Sequence, residues 1–353
     1  MSVEAEVLTE TQGGLGVITL NRPKALNALS LGMIEVIEAA LARWAGDDKI
    51  AAVLIRGAGE KAFCAGGDVR AIATVDGSPE TERLKRLFFA AEYRLNYHIH
   101  TYPKPFLALI DGITMGGGCG LSLHGSHVIA TERTALAMPE TVLGLFPDVG
   151  ATWFLNRLPG EMGVYLGLSG VRLRANDLVA LGMATHFVPS AAAPALIEDL
   201  AATPLDEASI AAVLARHAGD PGAAMVATRR SEVDKLFAGA TVEAIMADLG
   251  DAGPDWAGAA LQTMHRASPT SLKLTLRQLR GGRTLNLAQM LRIEYRLAVR
   301  CTTGHDFPEG VRAILIDKDN APRWQPARLE DLDAASVEAY FWPFAEPRDE
   351  LDL

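Results

Sequence analysis

The sequence has 353 residues, of which 49% are hydrophobic and 22% charged, the composition of an ordinary globular protein. Its length is sufficient for one large core or two domains. The formal net charge of −10 argues against a general affinity for nucleic acid or for an anionic membrane surface, because both repel an acidic protein.

Cysteine usage and the first residues bear on the cellular compartment. The three cysteines, Cys64, Cys119 and Cys301, form no C-x-x-C pair, and their odd number indicates a reducing environment. Residues 1–10 (MSVEAEVLTE) are acidic and lack the apolar run of an export signal or the basic character of a mitochondrial import signal. No apolar stretch is long enough to span a bilayer. We therefore expect a cytoplasmic protein without a membrane span.

The first third of the chain predicts alternating strands and helices. Its strands are continuously apolar, which is typical of a sheet buried on both faces, and its helices have apolar residues three and four apart. The pattern predicts an α/β core of repeated strand–strand–helix units. The predicted elements are hairpin strands over Val7–Glu10 and Gly16–Leu20, a helix over Leu31–Trp44, a strand over Ala51–Ile55, a helix over Thr81–Ile99 and a strand over Pro105–Ile110.

The character of the sequence changes near residue 190. A last short strand is predicted over Ala184–Val188. Residues Ala191–Ala260 are Ala-rich, and the chain from residue 191 onward is predicted to be mainly helical. We expect residues 1–190 to form a core that carries the active site, and residues 191–353 to form a helical region packed on it.

Two glycine-rich turns follow predicted strands. One contains Gly66 and Gly67, and the other contains Gly116, Gly117 and Gly118. Glycines let the backbone approach a ligand closely with N–H groups pointing outward. Two such turns can direct two N–H groups at one point, which is the geometry of an oxyanion hole. The alternative is that both are only tight connections. Neither turn has the spacing of a dinucleotide or P-loop motif.

Two carboxylates follow prolines shortly after the second turn. Glu140, in Met-Pro-Glu, precedes an apolar run, so desolvation of its side chain is expected to raise its pKa and suit it to act as a base or nucleophile. Asp148, in Phe-Pro-Asp, is a second candidate. The alternatives are a helix-start glutamate and a turn aspartate. No metal site is predicted, because His124 and His127 have no evident third ligand.

These segments resemble the crotonase (enoyl-CoA hydratase/isomerase) superfamily and, within it, the 3-hydroxyisobutyryl-CoA hydrolase family. The resemblance implies the crotonase spiral fold with C-terminal helices over the acyl pocket. It also implies hydrolysis of a hydroxyacyl-CoA thioester, as in valine breakdown, without a metal or redox cofactor. The segments that carry it are AFCAGGD (62–68), FFAAEYRLN (88–96), DGITMGGGCG (111–120), the MPE and FPD motifs, ASPTSLKLTLRQL (267–279) and HDFPEGVRAILIDK (305–318).

The resemblance also implies roles for individual residues. Glu140 attacks the thioester or activates water, and this choice stays open. Asp148 binds the substrate hydroxyl or positions water, and this choice stays open too. The remaining roles are the thioester-oxygen donors Gly67 and Gly117, the hydroxyacyl-binding Glu92, and Asn27 and Ala28 in the coenzyme A loop. For Glu92 the alternative is a solvated, ion-paired helix residue.

Gly120 is informative because it lacks a side chain. In the hydratases of the superfamily a glutamate follows the GGGC element, and two carboxylates deliver water across a double bond. Here Gly120 stands at that position, which argues against hydratase chemistry. A hydratase or isomerase of the same fold remains an alternative, as does a non-catalytic acyl-CoA-binding scaffold. Assembly into a homo-oligomer is left open.

Overall fold

The structure is a computed structural model that describes residues 5–73, 78–251 and 253–353. All strands within these ranges lie before residue 188. The strands are β1 (Val7–Gln12), β2 (Leu15–Leu20), β3 (Ala52–Gly57), β4 (Ala62–Cys64), β5 (Phe106–Ile110), β6 (Ile113–Met115), β7 (His127–Ala130), β8 (Ala135–Ala137) and β9 (His186–Phe187).

Helices occur along the whole described chain, and the regular secondary structure after β9 is helical. In the described ranges no helix is both long and apolar enough to cross a membrane. The α-helices are α1 (Leu31–Ala45), α2 (Val69–Ala73), α3 (Pro79–His100), α4 (Gly117–Ser122), α5 (Ala151–Leu155), α6 (Met162–Ser169), α7 (Ala175–Ala180), α8 (Ala193–Ala201), α9 (Glu207–His217), α10 (Arg230–Leu236), α11 (Val242–Asp251), α12 (Asp255–Arg266), α13 (Pro269–Gly281), α14 (Leu287–Thr303), α15 (Asp306–Val311) and α16 (Ala334–Ala339).

The strands form two sheets, and from β3 onward the chain contributes strands to them alternately. Six strands form a sheet in the order β1-β2-β3-β5-β7-β9, and three form a sheet in the order β4-β6-β8. Apart from the β1–β2 hairpin, every pair in the larger sheet is parallel. Successive strand pairs, β3 with β4, β5 with β6 and β7 with β8, give one strand to each sheet. This confirms the predicted strand–strand–helix repeats of a crotonase-like spiral.

The apolar strands are explained by burial of the larger sheet. On one face, Leu54 and Leu107 belong to a core cluster with residues of α8 and α9, including Leu196 and Val213. α1 packs against β1 and β2. A Cβ at Gly16 would lie 2.7 Å from the Trp44 ring, so only glycine allows this helix to approach so closely. Fully burying each large apolar side chain contributes roughly 1.5–3 kcal/mol.

Contacts group the chain into two compact units, each built from separate segments. Residues 5–67, 95–136 and 172–227 belong to the first unit, and the described residues of 68–94, 137–171 and 228–353 belong to the second. The glycine turns with Gly67 and Gly117 lie in the first, and the carboxylates Glu92, Glu140 and Asp148 lie in the second. The helical character after residue 190 is confirmed. A domain division at that residue stays a prediction.

Candidate active site

The two glycine turns are neighbours within the first unit. Strands β4 and β6 pair in parallel, with Cys64 opposite Thr114, and a turn follows each strand. Parallel strands end at the same edge of a sheet, so the two turns begin side by side. A Cβ at Gly66, whose φ is +109°, would lie 3.8 Å from the backbone nitrogen of Gly117. The structure therefore brings the two turns together, as the sequence predicts.

Two backbone N–H groups on these turns have no hydrogen-bond acceptor among the described residues. Gly117 is the first residue of α4, so its N–H has no acceptor within the helix. Neither this N–H nor that of Gly67 donates a hydrogen bond to another described residue. Adjacent free donors at a helix N-terminus suit a developing negative charge. The assignment of Gly67 and Gly117 as oxyanion donors is thus chemically sound but stays a prediction.

Gly118 offers a way to displace this turn. A Cβ at Gly118 would lie 2.3 Å from the carbonyl oxygen of Cys64, so Gly118→Ala must push α4 away from β4. We expect its kcat to fall by about a hundredfold or more, because losing one oxyanion donor costs that much. Gly46→Ala is the control, since a Cβ there meets nothing within 4 Å. Equal steady-state kcat values for the two folded variants would exclude the role.

Three buried carboxylates lie in the second unit. Glu140 begins a short 3-10 helix (Glu140–Leu143), and its Oε2 has no hydrogen-bond partner in the described part of the chain. Glu92 on α3 is buried, and its Oε1 likewise lacks a partner among the described residues. Asp148 is buried too, and its Oδ2 accepts a 2.7 Å hydrogen bond from the Tyr93 hydroxyl. The solvated, ion-paired alternative for Glu92 is therefore excluded.

The charge of Asp148 links the three groups. Burial raises the pKa of Glu140 well above its usual range, and the negative charges of Asp148 and Glu92 raise it further. Burial and Asp148 also raise the pKa of Glu92. The pKa of Asp148 itself rises only to about 6, because burial is opposed by the hydrogen bond from Tyr93. Burial therefore raises the pKa of all three carboxyl groups, and the charge of Asp148 raises the pKa of the other two further.

The raised pKa of Glu140 predicts a pH dependence of activity. A base or nucleophile must be deprotonated, so the raised pKa of Glu140 places the acid limb of kcat/KM above the usual range of a glutamate. Asp148→Asn removes a neighbouring negative charge and should move this limb to lower pH. The measurement is kcat/KM against pH for both proteins. A limb that stays in place or moves to higher pH would contradict the coupling.

A fourth buried carboxylate, Glu294 on α14, was not predicted from the sequence. Its Oε2 accepts a 2.6 Å hydrogen bond from the Gly150 N–H, and its Oε1 accepts one of 3.1 Å from the Thr152 N–H. Burial raises its pKa to about 8 despite these bonds. The available signal was its position on the apolar stripe of the helix, three residues after Leu291 and four before Ala298, where a solvated glutamate would not lie.

The expected coenzyme A loop is held by its own hydrogen bonds. Asn27 is fully buried; its amide oxygen accepts from the Arg22 N–H at 2.9 Å, and its amide nitrogen donates to the carbonyls of Ala58 and Ala62. The carbonyl of Ala28 accepts from the Arg22 guanidinium at 2.8 Å. The Asn27 side chain therefore shapes the loop. Coenzyme A binding by Asn27 and Ala28 stays a prediction.

The described residues hold no group of three or more His, Cys, Asp or Glu side chains arranged to bind a metal ion. Gly120, in α4, supplies no side chain.

Comparisons with known proteins agree with this fold. A sequence model of the enoyl-CoA hydratase/isomerase family matches residues 15–341. The crystal structure of a carnitinyl-CoA dehydratase from Mycobacterium thermoresistibile is 40% identical, with a TM-score of 0.91 over 99% of both chains. That of an enoyl-CoA hydratase from Rhodobacter sphaeroides 2.4.1 is 37% identical, with a TM-score of 0.87 over 99% of this chain and 100% of that chain. The protein belongs to the enoyl-CoA hydratase/isomerase family.

Within that family the sequence is also similar to a specific group of enzymes. The 3-hydroxyisobutyryl-CoA hydrolase of Xenopus tropicalis is 48% identical over 344 residues, covering 96% of this chain and 89% of that protein. The resemblance inferred from the motifs is confirmed.

The expectation of a cytoplasmic protein was wrong. The Xenopus tropicalis relative is a mitochondrial enzyme, which conflicts with that location. All three cysteines are buried, and none forms a disulfide. Reduced cysteines do not distinguish one reducing compartment from another.

Proposed function

We propose that this protein is an acyl-CoA thioester hydrolase that converts 3-hydroxyisobutyryl-CoA and water into 3-hydroxyisobutyrate and free coenzyme A. The observation that carries this proposal is the buried Glu140, whose Oε2 has no partner among the described residues, in a chain that has glycine at position 120. One strong carboxylate suffices for attack at a thioester carbonyl. The similarity to a named hydrolase over nearly the whole chain supports the same reaction.

The proposed roles follow from the chemistry of each group. Gly67 and Gly117 donate hydrogen bonds to the thioester oxygen as it gains charge. Glu140 then acts on the carbonyl carbon in one of two ways. Its carboxylate attacks directly, expelling the coenzyme A thiolate and forming a mixed anhydride that water later cleaves, or it removes a proton from the attacking water. In both routes the C–S bond breaks, a C–O bond to water oxygen forms, and the thiol leaves with a proton.

Asp148 and Glu92 recognise the hydroxyacyl group in this proposal. The Asp148 carboxylate can accept a hydrogen bond from the substrate hydroxyl, and burial favours the protonated form of Glu92, which can donate one to it. Both are buried, so a substrate lacking the hydroxyl would leave Glu92 Oε1 without a partner among the described residues and would leave Asp148 with the Tyr93 hydrogen bond but not that of the substrate. The loop with Asn27 and Ala28 would contact coenzyme A through its backbone. No metal or redox cofactor takes part, and the reaction is a step in valine breakdown.

Self-association into a homo-oligomer is also proposed. Leu84 and Leu87, one turn apart on α3, are 48% and 42% exposed, and a second subunit could cover them. Sedimentation of the purified protein with and without Leu87→Glu would test this.

The second candidate is a hydratase or dehydratase, which the names of the two similar crystal structures favour. Hydration of an enoyl-CoA needs a proton at the α-carbon and hydroxide at the β-carbon, and Gly120 offers no proton-transfer group for this.

One experiment separates the two. We expect 3-hydroxyisobutyryl-CoA to yield free thiol, detected with a thiol reagent, and crotonyl-CoA to keep its conjugated-enoyl absorbance under the same conditions. Rapid loss of that absorbance without thiol release would replace the hydrolase assignment by the alternative.

A further inference from the structure

The turn that carries Asp148 has an unfavourable backbone conformation. Val149 has a φ of +53° and Gly150 a φ of +82°, so two successive residues are left-handed. Glycine adopts this conformation readily, but a β-branched valine is a genuine outlier there. Such strain persists only where surrounding contacts hold it. Val149 is fully buried, so its side chain is fixed within the core of the second unit.

Three buried side chains from different helices hold this turn. Before Val149, the Gln278 amide on α13 donates to the carbonyl of Pro147 at 2.7 Å. The Tyr93 hydroxyl on α3 binds the Asp148 carboxylate. After Val149, Glu294 accepts the N–H groups of Gly150 and Thr152 with its two oxygens. Glu294 thus holds the backbone on the far side of the strained residue.

Burying Glu294 carries a free-energy penalty that a purely structural residue would avoid. It is fully buried, and both burial and the charge of Asp148 disfavour its ionised form. A hydrophobic residue would fill the space at lower cost. Only a carboxyl group, however, offers two oxygens that can each accept one of the two N–H groups. A glutamine has one acceptor and would turn its NH₂ toward the second N–H.

We propose that Glu294 is a positioning residue that holds the strained turn at Val149 and thereby fixes the Asp148 carboxylate for recognition of the substrate hydroxyl. This inference rests on the proposed function of Asp148. Glu294 acts through the backbone and touches no reacting atom.

The test is Glu294→Gln in the full-length protein, with two readouts. The first is the ratio of 3-hydroxyisobutyryl-CoA to isobutyryl-CoA turnover, both measured per folded molecule. We expect this ratio to fall at least about tenfold, since a misplacement of about 1 Å can cost on the order of a hundredfold. A general loss of packing would lower both rates alike and leave the ratio unchanged. The second readout is hydrogen exchange at the Gly150 and Thr152 amides, which should become faster.

A second substitution separates strain from packing. In the Glu294→Gln background, Val149→Gly removes the side chain and with it the penalty for a left-handed backbone. Val149→Ala removes most of the same side chain but keeps the Cβ and therefore keeps the penalty. We expect Gly, and not Ala, to restore the ratio at least partly. Should Glu294→Gln fail to fold, the double variant with Val149→Gly is expected to fold and that with Val149→Ala is not.

An unchanged ratio with unchanged amide exchange in Glu294→Gln would overturn the proposal, as would equal behaviour of the Gly and Ala double variants. Failure of the proposed function is distinguishable. In that case the wild-type protein releases no thiol from either thioester, whereas the amide exchange still reports whether Glu294 holds the turn.

Discussion

Glu140→Gln is expected to lower the turnover of 3-hydroxyisobutyryl-CoA by at least about a hundredfold, the lower end for loss of a general base. Glutamine keeps the shape of the side chain and removes the negative charge that both a base and a nucleophile need. Coenzyme A binding should persist, because the substitution leaves the Asn27 loop unchanged. The measurements are steady-state kcat by thiol release and the Kd of coenzyme A. Glu35→Gln, at an exposed position on α1, is the matched control.

The thermal stability of Glu140→Gln should stay equal or rise even though its turnover falls. Burial raises the folded-state pKa of Glu140 above its unfolded value. A group whose pKa is higher in the folded state contributes its full stability only below its unfolded-state pKa. That contribution is lost as the pH rises from the unfolded-state pKa to the folded-state pKa. At neutral pH, therefore, the folded state gains nothing from this carboxylate, and Gln should leave the Tm equal or higher. Loss of activity without loss of Tm marks a residue kept for chemistry. Near-normal turnover of the folded variant would exclude Glu140 as the catalytic group.

The sequence predicted the fold well where local pattern and burial agree. The β1–β2 hairpin, α1 and the buried strand β5 lie within a few residues of the predicted bounds. These elements are specified by apolar periodicity and turn chemistry over short distances. The proximity of the two glycine turns was also predictable, because parallel strands end at one edge.

The electrostatic relations of the site could not be read from local pattern. The Tyr93–Asp148 hydrogen bond joins residues 55 positions apart, and Glu294 binds a backbone N–H 144 positions away. Such pairings depend on how helices pack, which no short-range pattern encodes. Asn27 illustrates the converse: family likeness points to ligand binding, whereas the structure shows its side chain engaged with Arg22, Ala58 and Ala62.

The Asp148 carboxylate is the group most suited to choose between hydroxylated and plain acyl chains. It is buried, and its pKa of about 6 means that it is largely ionised at neutral pH. A hydrogen bond to a charged group contributes about 1.5–3 kcal/mol, more than a bond between neutral groups. A site with such an acceptor also rejects the analogue without a hydroxyl, because the buried carboxylate would then lose one hydrogen bond and keep only that from Tyr93 among its side-chain partners.

Asp148→Gly is therefore expected to lower the ratio of 3-hydroxyisobutyryl-CoA to isobutyryl-CoA turnover by a factor on the order of ten to a hundred, the equivalent of that hydrogen bond. Asp148→Asn is the matched control: its amide oxygen can still accept from the Tyr93 hydroxyl, so the ratio should fall less. The measurement is kcat/KM for both thioesters by thiol release. If the ratio is unchanged in Asp148→Gly while both rates fall together, Asp148 acts on the attacking water or on the shape of the turn, and recognition of the hydroxyl must pass to Glu92.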